Sequence, residues 1–469
     1  MIEVETKLAD TESSDVSLQQ GETTPASSSP PEMRRRVFGM AGPVIGENFL
    51  ETLLGIIDTL LVGALGAAAI AGVGSALQVL FFLISALSAL AVGSSVLVAQ
   101  AWGAGDKQRA SVLARQSMIW SVVCSIPLAI VGYLFSGPVI GVFGVEPEVA
   151  RIGTEYLQVT MATIVVLIAL FIGGGVLRGA GDSRTPMVVT AIANVINVGL
   201  AYAMIYGQFG FPVLGPVGSA WATFIARAIA LVLLVGALWQ GRNGISIRGS
   251  GSWLPQTNIA SQIMRIGVPA ALEQVLVSGA FFALSIVVAH LGTNILAAHR
   301  IAFTALSFSF LPGIGFGIAA TALVGQSIGA RRVNEGSEAA RIATVWGVAW
   351  MSIIAAVFLI FATPIMDLFS DDAGVIEAGA AGLRVVALAQ PFWAILFVQS
   401  GALRGTGNTR FPLLVTGGGI WLSVGLAYLL ITLLGGGLVS VWTAFLIVAP
   451  FMALLHWRRF QSAIREIQV

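Results

Sequence analysis

The chain has little of what a water-soluble protein is coated with. Of its 469 residues only 10% are charged, against about 25% in a typical soluble domain. The length would suit roughly three soluble domains, but there is too little polar surface to cover them. The single cysteine, Cys124, excludes an internal disulfide and a cysteine metal cluster. The three histidines, His290, His299 and His456, have no metal-ligand spacing. Lys+Arg total 24 against 23 Asp+Glu, a net +1, which leaves no basic footprint for nucleic acid. No GxxxxGK[ST] loop is present to drive anything by ATP hydrolysis.

What the chain has is apolar side chains, 57% of residues, and 55 glycines. Mean hydropathy is +0.90. These numbers predict an all-α polytopic membrane protein. Residues 1–32 differ: seven acids, one lysine and many Ser, Thr, Gln and Pro predict a disordered tail, too acidic and too polar for a signal peptide.

A bilayer core of roughly 30 Å takes about 20 apolar residues as helix. Twelve stretches qualify: 37–62, 70–100, 112–136, 154–177, 186–206, 217–239, 262–290, 295–326, 342–368, 376–402, 411–434 and 438–457. Loop charges test that count. Every second connection is basic, from Arg34–Arg36 before span 1 to Arg458, Arg459 and Arg465 after span 12. Only Arg151, Arg227, Arg300 and Arg384 lie elsewhere. The positive-inside rule makes the basic side cytoplasmic, with both termini there, in a cytoplasmic (inner) membrane. An odd span count would destroy the alternation.

The halves repeat at a constant shift of 226. LRGAGDSRTPMVVT at 177–190 and LRGTGNTRFPLLVT at 403–416 share eight of fourteen positions. The same register pairs Pro43 with Pro269, Glu47 with Glu273, Gln100 with Gln326 and Gly103 with Gly329. Six spans per repeat give both halves one topology, related by an axis along the membrane normal. The expected organisation is a tail (1–32), an N-lobe (33–240), a linker (241–261), a C-lobe (262–457) and a tail (458–469). Two bundles flanking a cleft predict a secondary transporter that works by alternating access.

An ionisable side chain within a span costs about 2.5–3.5 kcal/mol on insertion scales, so each is a functional candidate. Span 1 carries Glu47, Glu51 and Asp58. Separations of 4 and 11 residues place them within about 40° of one another on a helix, one stripe facing the cleft. The alternative is that these acids only hydrogen-bond neighbouring helices. Pro43 opens or kinks this span. Span 7 carries Glu273 and Gln274. Two carboxylates at matching depth suit a cationic substrate. Asn197 and Thr223 are candidate ligands near Asp58, and Asn194 is assigned to packing. Trp393 is a candidate cavity wall for organic cations, with core packing as its alternative. His299 and Arg300 are read as interfacial or packing residues, and Arg227 and Arg384 as snorkelling or pairing with a carboxylate. The arginines of the RGAGDSR and RGTGNTR turns are assigned to topology, not to a site.

GPVIGENFLETLLGIIDTLLVGALG, VLRGAGDSRTP, ALRGTGNTRFP and AAHRIAF followed by GFGIAATALVGQSIGA together make the chain, over about 37–457, resemble the multidrug and toxic compound extrusion (MATE) family. The resemblance implies two six-helix lobes and drug or metabolite export, with H+ or Na+ moving inward. Asp58 matches the family's span-1 aspartate, and Asn197 an asparagine of the same cation site. The chain departs at Ala201, where relatives often carry Asp or Asn. It departs again at Val277 and Trp393, where some relatives carry acids; Glu273, one turn before Val277, is the candidate substitute. With Ala201 removing an oxygen ligand, H+ is favoured over Na+. A lipid-linked precursor flippase is the runner-up, disfavoured because the cavity candidates are mostly acidic. An enzyme is not expected, since the spans hold no convergent nucleophile, base and metal groups. No cofactor, no nucleic acid and a monomer in the bilayer are expected.

Overall fold

A computed structural model describes residues 30–248 and 252–468, with backbone alone at 85, 86, 88, 89 and 434. The tail expected at 1–32 thus lies outside the described residues up to 29, and 30–32 already open the first helix. The described chain is helical throughout its spans. With no water in the bilayer core, a spanning segment must satisfy every backbone group within itself, and a helix does so.

The spans are Pro30–Gly63 (span 1), Ala67–Gly103 (2), Lys107–Gly141 (3), Pro147–Ala162 joined to Ile164–Gly179 (4), Arg184–Tyr206 (5) and Pro216–Gln240 (6). The second half has Thr257–Ala289 (7), Thr293–Gly329 (8), Val333–Asp367 (9), Ala373–Gly405 (10), Arg410–Leu433 (11) and Leu438–Gln468 (12). Ten of these helices are long and apolar enough to cross a bilayer, and bent span 4 makes an eleventh. Span 1 is the exception, its apolar length interrupted by three acids. The fold is all-α, twelve transmembrane helices in two pseudo-symmetric six-helix bundles.

Local chemistry ends each helix where the sequence changes. Gly207 and Gly241, in the left-handed region, close spans 5 and 6. The Asp106 carboxylate accepts from the Arg109 amide at 2.8 Å and caps span 3. Asp372 caps span 10 likewise through Gly374 and Val375. Span 4 bends by 54° at Thr163, whose hydroxyl donates to the Val159 carbonyl. Span 11 starts through a π turn at Leu413–Gly417.

The repeat is visible in the backbone. Spans 2 and 8 begin and end 226 residues apart, as do spans 3 and 9. Gly66 and Gly292, also 226 apart, take φ of 111° and 108° ahead of spans 2 and 8.

Each half has its own apolar core. A third core sits at the basic end, where Met33 and Val37 of span 1 pack with Ala319, Ala339, Val398 and Phe460 of the second half. In return, Ile259 and Ile263 of span 7 join the core of the first half. Met33 and Ile259 are 226 apart, and so are Val37 and Ile263. The halves thus exchange the basic ends of their leading helices.

Candidate transport cavity

A cavity of about 680 Å³ lies inside the first half and, among the described residues, takes only Ile318, Thr321 and Arg404 from the second. Span 1 supplies one wall with Glu47, Glu51 and Asp58, the stripe expected from their spacing. Span 6 runs antiparallel to it and presents Ser219, Thr223 and Arg227 at i, i+4 and i+8, one face of a helix.

The polar groups form tiers. Nearest the non-basic end, the Asp58 carboxylate accepts from the Ser219 hydroxyl at 3.0 Å. Its other oxygen, Oδ1, is buried with no hydrogen-bond partner. Asn197, 1% exposed, donates from Nδ2 to the Thr223 hydroxyl at 2.9 Å, and its Oδ1 is also buried and unpartnered. Two acceptor oxygens of one cavity therefore remain able to accept from a donor or to face a cation. Below them, Glu51 is exposed to the cavity, and the Arg227 charge acts on both Glu51 and Asp58. Arg227 makes no hydrogen bond or ion pair among the described residues. At the floor, Arg178 Nη1 reaches the Glu47 carboxylate at 3.0 and 3.2 Å.

Span 5 closes the wall. Asn194 Nδ2 donates to the Leu50 carbonyl at 2.8 Å and ties span 5 to span 1. Ala201 is fully buried in the first-half core and offers no ligand.

The second half differs from expectation. Glu273 is 3% exposed, pairs with Arg404 Nη2 at 2.9 Å and is not in the cavity wall; its arginine is. Gln274 is half-buried and also off the wall. Trp393 is 5% exposed, edge-on to Phe310 at 5.1 Å and near Trp442 and Phe445, so it packs in the second core. His299 stacks on Trp442 in the same cluster. Arg384 donates to the Thr363 hydroxyl instead of pairing with an acid.

Sequence reasoning missed Arg178 and Arg404 by assigning them to topology. A signal was there: they are 226 residues apart, as are their partners Glu47 and Glu273. Ser219 carried no signal of its own. The sequence predicts a mostly acidic cavity, and the structure corrects this. Glu47, Glu51 and Asp58 face Arg178, Arg227 and Arg404, three charges of each sign.

Two parallel six-helix bundles, with a charged cavity walled by intramembrane carboxylates, define a polytopic membrane transporter. The MatE family model matches residues 43–203 and again 269–429, blocks that are themselves 226 apart. The chain belongs to the MATE family of transporters, which are not enzymes. It is 31% identical over 434 residues to a probable multidrug resistance protein NorM of Thermotoga maritima, covering 92% of this chain and 93% of that one. It is 30% identical over 410 residues to the multidrug resistance protein NorM of Burkholderia vietnamiensis, covering 85% and 87%. The fold is that of the Vibrio cholerae MATE transporter VcmN in its bent form (TM-score 0.87, 20% identity, 94% of this chain and 99% of that one). It is equally that of a MOP superfamily transporter from Pyrococcus furiosus (TM-score 0.85, 24% identity, 95% and 100%).

Proposed function

We propose that the protein is a multidrug efflux transporter of the cytoplasmic membrane, with its basic end in the cytoplasm. It exports amphipathic organic cations by alternating access, in exchange for H+. The observation that carries this reading is the pair of unpartnered oxygens on Asp58 and Asn197 inside the cavity. A proton on Asp58 converts an acceptor into a donor and neutralises the charge; its departure restores an anion that attracts a cationic substrate. One carboxylate suffices for that exchange. Na+ would have to replace its hydration shell with several oxygens at once, and Ala201 removes one. The cavity volume falls within the roughly 300–1,000 Å³ usual for small-molecule sites.

The test is dye efflux from proteoliposomes under an imposed pH gradient or an imposed Na+ gradient. A response to the pH gradient alone supports H+ coupling; a response to Na+ alone replaces the ion and leaves the cavity reading intact.

A second reading is favoured by Arg178, Arg227 and Arg404. The balanced charge removes the objection raised above to a flippase of anionic lipid-linked precursors. Transport of a labelled anionic lipid without transport of cationic dyes would put this reading first.

A further inference from the structure

Every hydrogen bond between the two bundles lies toward the basic end among the described residues, and two of them are one contact made twice. Gln100, in the last turn of span 2, donates from Nε2 to the Gly405 carbonyl at 3.1 Å. Gln326, in the last turn of span 8, donates from Nε2 to the Gly179 carbonyl at 2.9 Å. Donors and acceptors are both 226 apart, so each half gives what it receives, as at a two-fold interface. The acceptors are available for a simple reason: the carbonyls of a helix's last turn have no N–H partner within the helix. Gly179 ends span 4 and Gly405 ends span 10.

The backbones approach as closely as glycine allows. A Cβ on Gly103 would strike the backbone of Gln326, and one on Gly329 would strike that of Gln100. The residue before each acceptor points the other way. Arg178 holds Glu47, and Arg404 holds Glu273. Each Arg-Gly dipeptide thus joins an acid of its own half to a glutamine of the opposite half.

We infer that Gln100 and Gln326 form a reciprocal latch that holds the basic end closed, and that both bonds must break for the cavity to open there. This rests on the alternating-access reading. The magnitudes suit a latch. A neutral side-chain hydrogen bond is worth only a few-fold to about tenfold in an equilibrium, because water replaces it when it opens. Two such bonds bias the closed state without jamming it. Glutamines were not expected here, since the sequence marks them only as repeat mates.

The experiment measures spin-label distances across the basic end, in full-length protein in lipid nanodiscs. Labels go on Gln108→Cys and Asn334→Cys, two exposed positions 226 apart, with Cys124→Ser removing the native thiol. Gln100→Met with Gln326→Met keeps the volume and removes both donors. The ratio of open to closed distances should rise by roughly tenfold to a hundredfold. Gly103→Ala with Gly329→Ala, which forces the backbones apart, should shift it in the same direction. An unchanged distribution in the folded methionine pair overturns the latch. The alternating-access reading is judged separately, on the native glutamines: it fails if pH and cationic dye never move the distances, whatever the methionine pair does.

Discussion

Positions that line a cavity in the first half have equivalents in the second that are packed with apolar and aromatic side chains. Asp58 of span 1 corresponds to Leu284 of span 7, Glu51 to Val277, and Asn197 of span 5 to Ser423 of span 11, all at the 226-residue shift. Leu284 is fully buried in apolar packing. Where span 6 lines a cavity with Ser219, Thr223 and Arg227, span 12 fills the space with Trp442 and Phe445 against Trp393. The tier nearest the basic end did not diverge. Both halves keep a Glu–Arg pair, a glutamine reaching across and a glycine at the crossing. The contacts at the basic end thus occur twice, while the polar cavity is lined almost wholly by the first half.

This contrast predicts a ranking of substitutions. Asp58→Asn should cause the largest loss, at least about a hundredfold in gradient-driven dye efflux, with the thermal transition in detergent little changed. Trp393→Ala should do the opposite. Truncating a buried aromatic side chain costs about 3–5 kcal/mol, so the transition should fall sharply, while the folded fraction keeps its preference among dyes. A change of dye preference at Trp393 would break the division of labour between the halves.

The two ion pairs sharpen the comparison. Removing one partner of a buried pair costs about 3–5 kcal/mol, less where solvent reaches it. Glu273, 3% exposed, should therefore lose more stability on Glu273→Gln than Glu47, 14% exposed, on Glu47→Gln. The order should reverse for transport, because Glu47 lines the cavity and Glu273 does not. Melting curves and initial efflux rates on the two variants read both orders. The smallest effect expected is that of Thr223→Val, which removes the acceptor for Asn197 Nδ2. A several-fold fall in efflux and a cost of about 1–3 kcal/mol would fit a supporting ligand.

Much of this architecture was legible before any coordinates. Intramembrane helices are long and apolar, and alternating loop charges count them. Bent span 4 was read as one segment because Thr163 is only a local break. The span-1 stripe was legible because a charge in a span stands out against its neighbours and helical spacing fixes its face. The second half was harder. Periodicity says which side of span 10 Trp393 occupies, yet not that Phe310, Trp442 and Phe445 fill the space beside it. Glu273 was expected at the cleft because its mate Glu47 is there, but Arg404 stands between it and the cavity. Arg178 and Arg404 adjoin glycines at a basic loop, so their sequence context alone marks them as turn residues. A long guanidinium side chain reaches back into the bundle, and the loop's sequence does not show that.

The central claim is that Asp58 exchanges a proton for a cationic substrate. Proton release from the purified, weakly buffered protein tests it most directly, followed with a soluble pH indicator as a cationic dye is added. The account predicts release from the native protein and none from Asp58→Asn. Equal release from both, or dye binding to the native protein with no release at any pH between 5 and 8, would contradict it.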